Sequence, residues 1–430
     1  MIIQTVAEVA RLWTTRRKIQ TLVSSATTYG LVAWLFCGLL AGCTRTPTEV
    51  TTSLPEAGED GSFHVYPGDN IQRFLDAAAA SSTKTVTVHA GTYRPAAPAQ
   101  ALIHFTRQHD GITLQGEGEV ILSAANADVA APGDRSYPAI VNHVVYFGDG
   151  IGDATTLRRV TLTGANGFAG TDASLPALEP PSERPEIQTR GMFYYLDGGA
   201  IKIFGCSAPT IEDVLIHKNS TRLCGAGVSV EQRGLTEQSA VFRNCLFIDN
   251  HCPGTGAAID LLSGSSATIE NCLFVGNIAN TGMDQIAKEF GLTYKPQHGC
   301  GALTVFPQSR AEVSRCTFTQ NWNGVDDAGQ DSRYLDCIFW RNDASDVSRP
   351  AGPYELDVAA AEVSGCWIGG AINDLRGTID ADANQLDAPD PQFDDTFVPQ
   401  AEPLSNPQPT GYRPVRTPPP HIPALQGRSH

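Results

Sequence analysis

The sequence predicts an all-β chain wound as a right-handed parallel β-helix, with an N-terminal helical cap and a Pro-rich C-terminal tail. Three observations predict it. The first is a motif that returns five times: Val214-Leu-Ile-His-Lys-Asn219, Cys245-Leu-Phe-Ile-Asp-Asn250, Cys272-Leu-Phe-Val-Gly-Asn277, Cys316-Thr-Phe-Thr-Gln-Asn321 and Cys337-Ile-Phe-Trp-Arg-Asn342. A period of a few tens of residues built on short β-type runs marks a stacked solenoid, in which each unit buries its apolar face only against its neighbours. The second is spacing. The Cys and the Phe (Ile in the first copy) are two apart, so both point the same way on a strand, and their equivalents stack about 4.8 Å apart. The third is a set of small-residue runs, Gly198-Gly-Ala-Ile, Gly225-Ala-Gly-Val, Gly256-Ala-Ala-Ile and Gly301-Ala-Leu-Thr. Such runs suit a tight bend with close backbone approach.

These patterns predict three internal ladders. One is Cys245, Cys272, Cys316, Cys337 and Cys366. One is Phe247, Phe274, Phe318 and Phe339. The third is Asn219, Asn250, Asn277, Asn321 and Asn342, placed at the turns, where Asn tolerates left-handed backbone and its amide can bond to the coils above and below.

Before the repeats, residues 1–43 read as an export signal. Arg16-Arg17-Lys18 supplies positive charge, residues 29–40 form an apolar core, and Leu40-Ala41-Gly42-Cys43 closes it. This ending resembles the bacterial lipobox, and the resemblance implies that Cys43 is acylated. A membrane-spanning helix is the alternative, but the apolar run is short and broken by Gly30 and Gly38. Residues 44–62 read as a flexible tether and 63–393 as the β-helix domain. In Ile71-Gln-Arg-Phe-Leu-Asp-Ala-Ala78, four apolar residues share a helical face that would plug the open end of the solenoid, with Asp69 or Asn70 as its cap. Thr85–Tyr93 alternates as a strand. Two stretches, 166–197 and 279–299, break the period; long loops on a solenoid often carry its function, and a tolerated surface insertion is the equal alternative. From Asp387 onward eleven prolines fall in 44 residues, so this end cannot join a central sheet. The tail, 394–430, is expected to pack outside the coils and lose order beyond about Val415.

With these residues in view, the chain resembles the pectate-lyase-like β-helix superfamily. The resemblance rests on the repeats and on the strand ending Ala90-Gly-Thr-Tyr93, with His89 where the family often has Pro. It implies the fold. It also implies a protein that binds or degrades polysaccharide by lyase-like or hydrolase-like chemistry, which the lipobox-like ending would place at the surface by a lipid anchor. A non-catalytic structural or adhesive lipoprotein is the other reading, since the superfamily holds both.

Net charge is −16, which argues against nucleic acid as a partner. It also makes a polyanionic glycan awkward without a local basic cluster or a bridging cation. His217, Lys218 and Arg222, with His251 one coil later and Asp249 beside them, form the densest basic patch in the repeats. A cation beside a base is what proton abstraction from a uronate needs. Hydrolysis instead needs two carboxyls about 5–9.5 Å apart. Asp249 with Asp326 or Asp327 is the candidate pair, although the Gly-His-Gly and Arg-x-Lys elements of polygalacturonase-like members are missing after Asp327. Turn capping is the plain alternative for Asp326 and Asp327, and solvated surface for the basic patch. Lys202, Ser229, Asp260 and Thr304 alternate with apolar residues and are expected to line an outward strip. The outward apolar residues Leu246, Ile248, Leu273, Val275, Ile338 and Trp340 are expected to be covered, either by the tail or by a partner. No metal site and no calcium signature are legible, so the cofactor stays open, calcium included. The remaining cysteines offer Cys252 a disulfide with Cys224 or Cys300. The expected location is the cell envelope, lipid-anchored, either periplasmic or surface-exposed.

Overall fold

The computed structural model describes residues 54–127, 139–179, 187, 190–291, 299–343, 353–369, 379–404 and 410–415. The export signal with Cys43 lies outside the described residues. In each repeat a three-residue strand runs between two corners. Leu273–Val275 is the strand of one coil; Asn271 (φ 52°) turns the chain into it and Gly276 (φ 68°) turns the chain out. The neighbouring coils use Asn244 and Asp249, Arg315 and Gln320, and Asp336 and Arg341 at the same corners, all with positive φ. The left-handed residue is therefore the one before each ladder Asn, not the Asn itself. Polar residues predominate there because Asn, Asp and short turns through them tolerate this conformation better than branched residues do.

The coils stack as parallel strands in a 17-stranded sheet and an 8-stranded sheet. The larger sheet contains two columns. Strands such as Ala240–Arg243 and Ser266–Glu270 form one, and Leu246–Ile248 and Leu273–Val275 form the other. The 8-stranded sheet is the third face and runs from Ala99–Phe105 to Leu356–Val358. The side-chain ladders lie inside. Phe247, Phe274, Phe318 and Phe339 stack at 4.7, 4.4 and 4.8 Å between ring centres. The five ladder cysteines are buried and linked by weak contacts, such as Cys272 N donating to Cys316 Sγ at 3.3 Å. All nine described cysteines are free, so Cys252 pairs with neither Cys224 nor Cys300.

The Asn ladder is continuous. Asn219, Asn250, Asn277 and Asn321 each donate Nδ2 to the Oδ1 of the next Asn at 2.8–3.1 Å. At one end Ala165 N donates to Asn219 Oδ1. At the other, Asn342 donates to the buried carboxylate of Glu355, which closes the row.

Helix α1 (Ile71–Ala79) buries Ile71, Leu75, Ala77 and Ala78, and Asn70 Oδ1 caps it by accepting from Gln72 N. It covers the first coil, as its apolar face requires. The tail covers the outward apolar stripe. Leu215, Leu246, Ile248, Leu273 and Val275 pack on Phe397 and Tyr412. Ile338 and Trp367 pack on Ala388 and Leu404, with Trp340 alongside. Residues beyond Val415 lie outside the described residues.

Candidate functional site

The corner geometry decides where the basic patch sits. Lys218 (φ 51°) and Asp249 (φ 53°) are the left-handed corners of adjacent coils, the position that Gly276 fills in the next. Ser220, His251 and Ile278 pair in parallel register just beyond. Lys218, Asp249 and His251 therefore share one edge of the solenoid at about strand spacing. Their presence at corners has a structural reason as well as a chemical one, because each corner accepts a polar residue or Gly.

Arg222 is half-exposed and lies where both insertions meet. Its side chain packs on Gly167, where an added Cβ would come within 2.9 Å of Arg222 Cγ. Its guanidinium is 3.6 Å from Glu289, on helix α3 (Met283–Phe290). The helical turns of the second insertion thus flank the patch. His217, expected in the basic patch, adds no positive charge to it: burial, and then the charge of Lys218, lower its pKa to about 4.

The proposed carboxylate pair is not brought together as one cleft. Asp249 ends a strand of the larger sheet, whereas Asp326 and Asp327 lie within a strand of the 8-stranded sheet, aligned with Thr304 and Val305. Both are buried. Asp327 accepts from Tyr334 Oη at 2.7 Å and from Gly329 N at 2.7 Å. It holds a turn and a core tyrosine, which is the capping role.

The outward strip behaves differently from expectation. Lys202, Ser229, Asp260, Thr304, Asp326 and Asp357 do stack in register on the 8-stranded sheet, but all are buried. The Gly runs explain why. With φ of +59° and +62°, Gly225 and Gly256 fold the turn backbone over the row, so that a Cβ on either would meet Asp260 Cβ at 3.1 or 3.0 Å. The first insertion completes the cover through α2 (Met192–Leu196) and Asp197.

Under this cover sits a charged cluster that the sequence reading missed. Lys202 Nζ forms an ion pair with Glu231 Oε2 at 2.8 Å. Lys202 also donates to Phe193 O and Ser229 Oγ. Arg233 pairs with Glu231 from the rim. Burial pulls the Glu231 carboxyl up, but Lys202 and Arg233 outweigh it and hold the group below its ordinary value. Asp197 and Asp260 have the opposite balance. Burial pushes Asp197 up to about 8 despite Lys202, and burial together with Asp197 raises Asp260 well above the usual carboxylate range. The alternation of Lys202, Ser229 and Asp260 was visible in the sequence. Asp197, supplied by an insertion, was not.

The comparisons with known proteins fall on the fold. The family described as right handed beta helix region matches residues 182–295. The chain is a right-handed parallel β-helix. Among curated proteins, none matches it. Among solved structures it is similar to the crystal structure of pectate lyase Pel9A, with 13% identity, a TM-score of 0.32, and coverage of 74% of this chain and 81% of that one.

Proposed function

We propose that this chain is an exported, lipid-anchored β-helix protein that binds or degrades acidic polysaccharide along the edge carrying Lys218, Arg222, Asp249 and His251. The observation that carries the reading is Arg222, half-exposed at the junction of both insertions, beside a corner row with Lys218 and Asp249 on adjacent coils. A guanidinium recognises a carboxylate with two parallel hydrogen bonds, and a nearby ammonium adds charge. An overall charge of −16 confines a polyanion to such a local patch. For a lyase-like reaction these cations would neutralise a uronate carboxylate while His251 takes the adjacent proton.

A second reading, a non-catalytic surface rod, is favoured by two observations. Glu289 already pairs with Arg222, and Asp326 and Asp327 are buried, with Asp327 engaged by Tyr334 and Gly329. Calorimetric titration with polygalacturonate and alginate separates the two, run beside an ultraviolet assay for unsaturated products. The glycan reading expects binding that weakens at least about tenfold in Lys218→Ala and Arg222→Ala, close to the loss of a charge-assisted hydrogen bond, with melting temperature kept. Binding of neither polymer by the wild type would leave the rod as the better account.

A further inference from the structure

The cluster beneath the first insertion contains a ligand set. Oxygens of Asp197 and Asp260 and the sulfur of Cys224 all lie within 4.8 Å of one another, and all three residues are buried. Asp197 Oδ1 accepts from Cys224 N at 2.8 Å, so that bond orients its carboxylate. Asp197 Oδ2 and both carboxylate oxygens of Asp260 have no hydrogen-bond partner among the described residues. A fully buried carboxylate with neither oxygen bonded is costly, because burial strips its hydration and nothing replaces it. Buried polar groups in folded proteins are nearly always satisfied, so such a group needs an explanation.

We propose that Asp197, Cys224 and Asp260 bind a divalent metal ion of the zinc class. Two hard oxygens and one thiolate favour zinc over calcium or magnesium, which take oxygen ligands alone. Three protein ligands leave a fourth position for water, the arrangement of an open rather than a closed zinc site. The charges agree. Lys202 offsets Glu231, and Arg233 on the rim offsets one further negative charge. Two ionised carboxylates and one thiolate then leave an excess that a divalent cation removes. The metal-free alternative is one proton shared between Asp197 and Asp260 with Cys224 as a thiol, which is also close to neutral. Burial, with Asp197 and Asp260 next, raises the Cys224 thiol well above its ordinary value. Metal binding must therefore release its proton, which ties affinity to pH.

The test uses the full chain, stripped with a chelator and titrated with zinc alone and then with cobalt alone. The expected result is one zinc per chain and a cobalt spectrum with a thiolate-to-metal charge-transfer band. Cys224→Ser should lose that band and Asp260→Asn should weaken zinc binding by at least about tenfold, the lower end of what even an outer-shell partner contributes. Cys206→Ser should keep the band, since Cys206 instead contacts Leu235 O. Should Asp260→Asn fail to fold, the wild-type cobalt spectrum decides alone, because a bound ion without thiolate character contradicts the ligand set. A wild type that binds neither ion, or a band that persists in Cys224→Ser, overturns the proposal in favour of the shared proton. Neither outcome bears on Lys218 or Arg222, so the glycan reading stands or falls separately.

Discussion

Asn277 donates Nδ2 to Asn321 Oδ1 at 2.9 Å while its own Oδ1 accepts from both the backbone N and the side chain of Asn250. It also donates to Phe247 O. One side chain thus ties three coils. Asn277→Ala should leave several of these buried groups unpaired and cost about 1–3 kcal/mol. Urea unfolding checks this through the transition midpoint. An unchanged midpoint would mean that the ladder is ornamental to stability.

Phe274 is fully buried between Phe247 and Phe318, with ring centres 4.7 and 4.4 Å away. Phe274→Ala should cost about 3–5 kcal/mol, because parallel strands on either side cannot close over the void. Phe274→Leu should cost clearly less. If both variants lose the same stability, the stacked geometry is not what matters there.

The ladders were legible because an inward position repeats with the coil and tolerates few side chains. Cys272, Phe274 and Asn277 show this, and so does the amphipathic face of Ile71, Phe74, Leu75 and Ala78. Burial of Lys202, Ser229 and Asp260 was not legible. Alternation correctly placed them outward, but their cover depends on Gly225 and Gly256 folding over them and on an insertion that no period predicts. The left-handed residue was misassigned by one place for a similar reason. The Asn signal was so regular that it hid the varied corner residues before it, among them Lys218 and Asp249.

His104 and His217 should give the protein an acid-sensitive limb. Burial comes first as the cause in both, with His109 adding to it for His104 and Lys218 for His217; both are lowered from 6.5 to about 4. Between those values the unfolded chain takes protons that the native chain refuses. Stability is therefore present above pH 6.5 and is lost as pH falls from about 6.5 to about 4. Melting temperatures recorded across that window should fall less steeply in a His104→Gln, His217→Gln double variant. Parallel profiles for variant and wild type would assign the acid limb to other groups.

Cys43 is expected to be the acylated first residue of the mature protein. Cys43→Ala should accumulate as an uncleaved or lipid-free form, seen as a mobility shift and as loss of label from a fatty-acid probe. Membrane retention and labelling equal to wild type would remove the lipid anchor from the proposed function and leave the fold untouched.

The tail should behave as part of the domain rather than as an appendage. Tyr412 and Phe397 are nearly buried against Leu215, Leu246, Ile248, Leu273 and Val275. Tyr412 N donates to Thr317 Oγ1 at 2.9 Å. Arg413 and Asn271 exchange two hydrogen bonds of 2.8 Å. These contacts reach coils far away in sequence, so they fix the segment against the outer face. Tyr412→Ala should cost about 1.5–3 kcal/mol, the usual value for burying one large apolar side chain. Removing residues 394–430 should do more. It strips a continuous apolar stripe of its cover, and large exposed patches of that kind associate. Light scattering should then show self-association and limited proteolysis should speed up. A truncated chain that stays monomeric with the wild-type melting temperature would show that the stripe tolerates water and that the tail serves some other end.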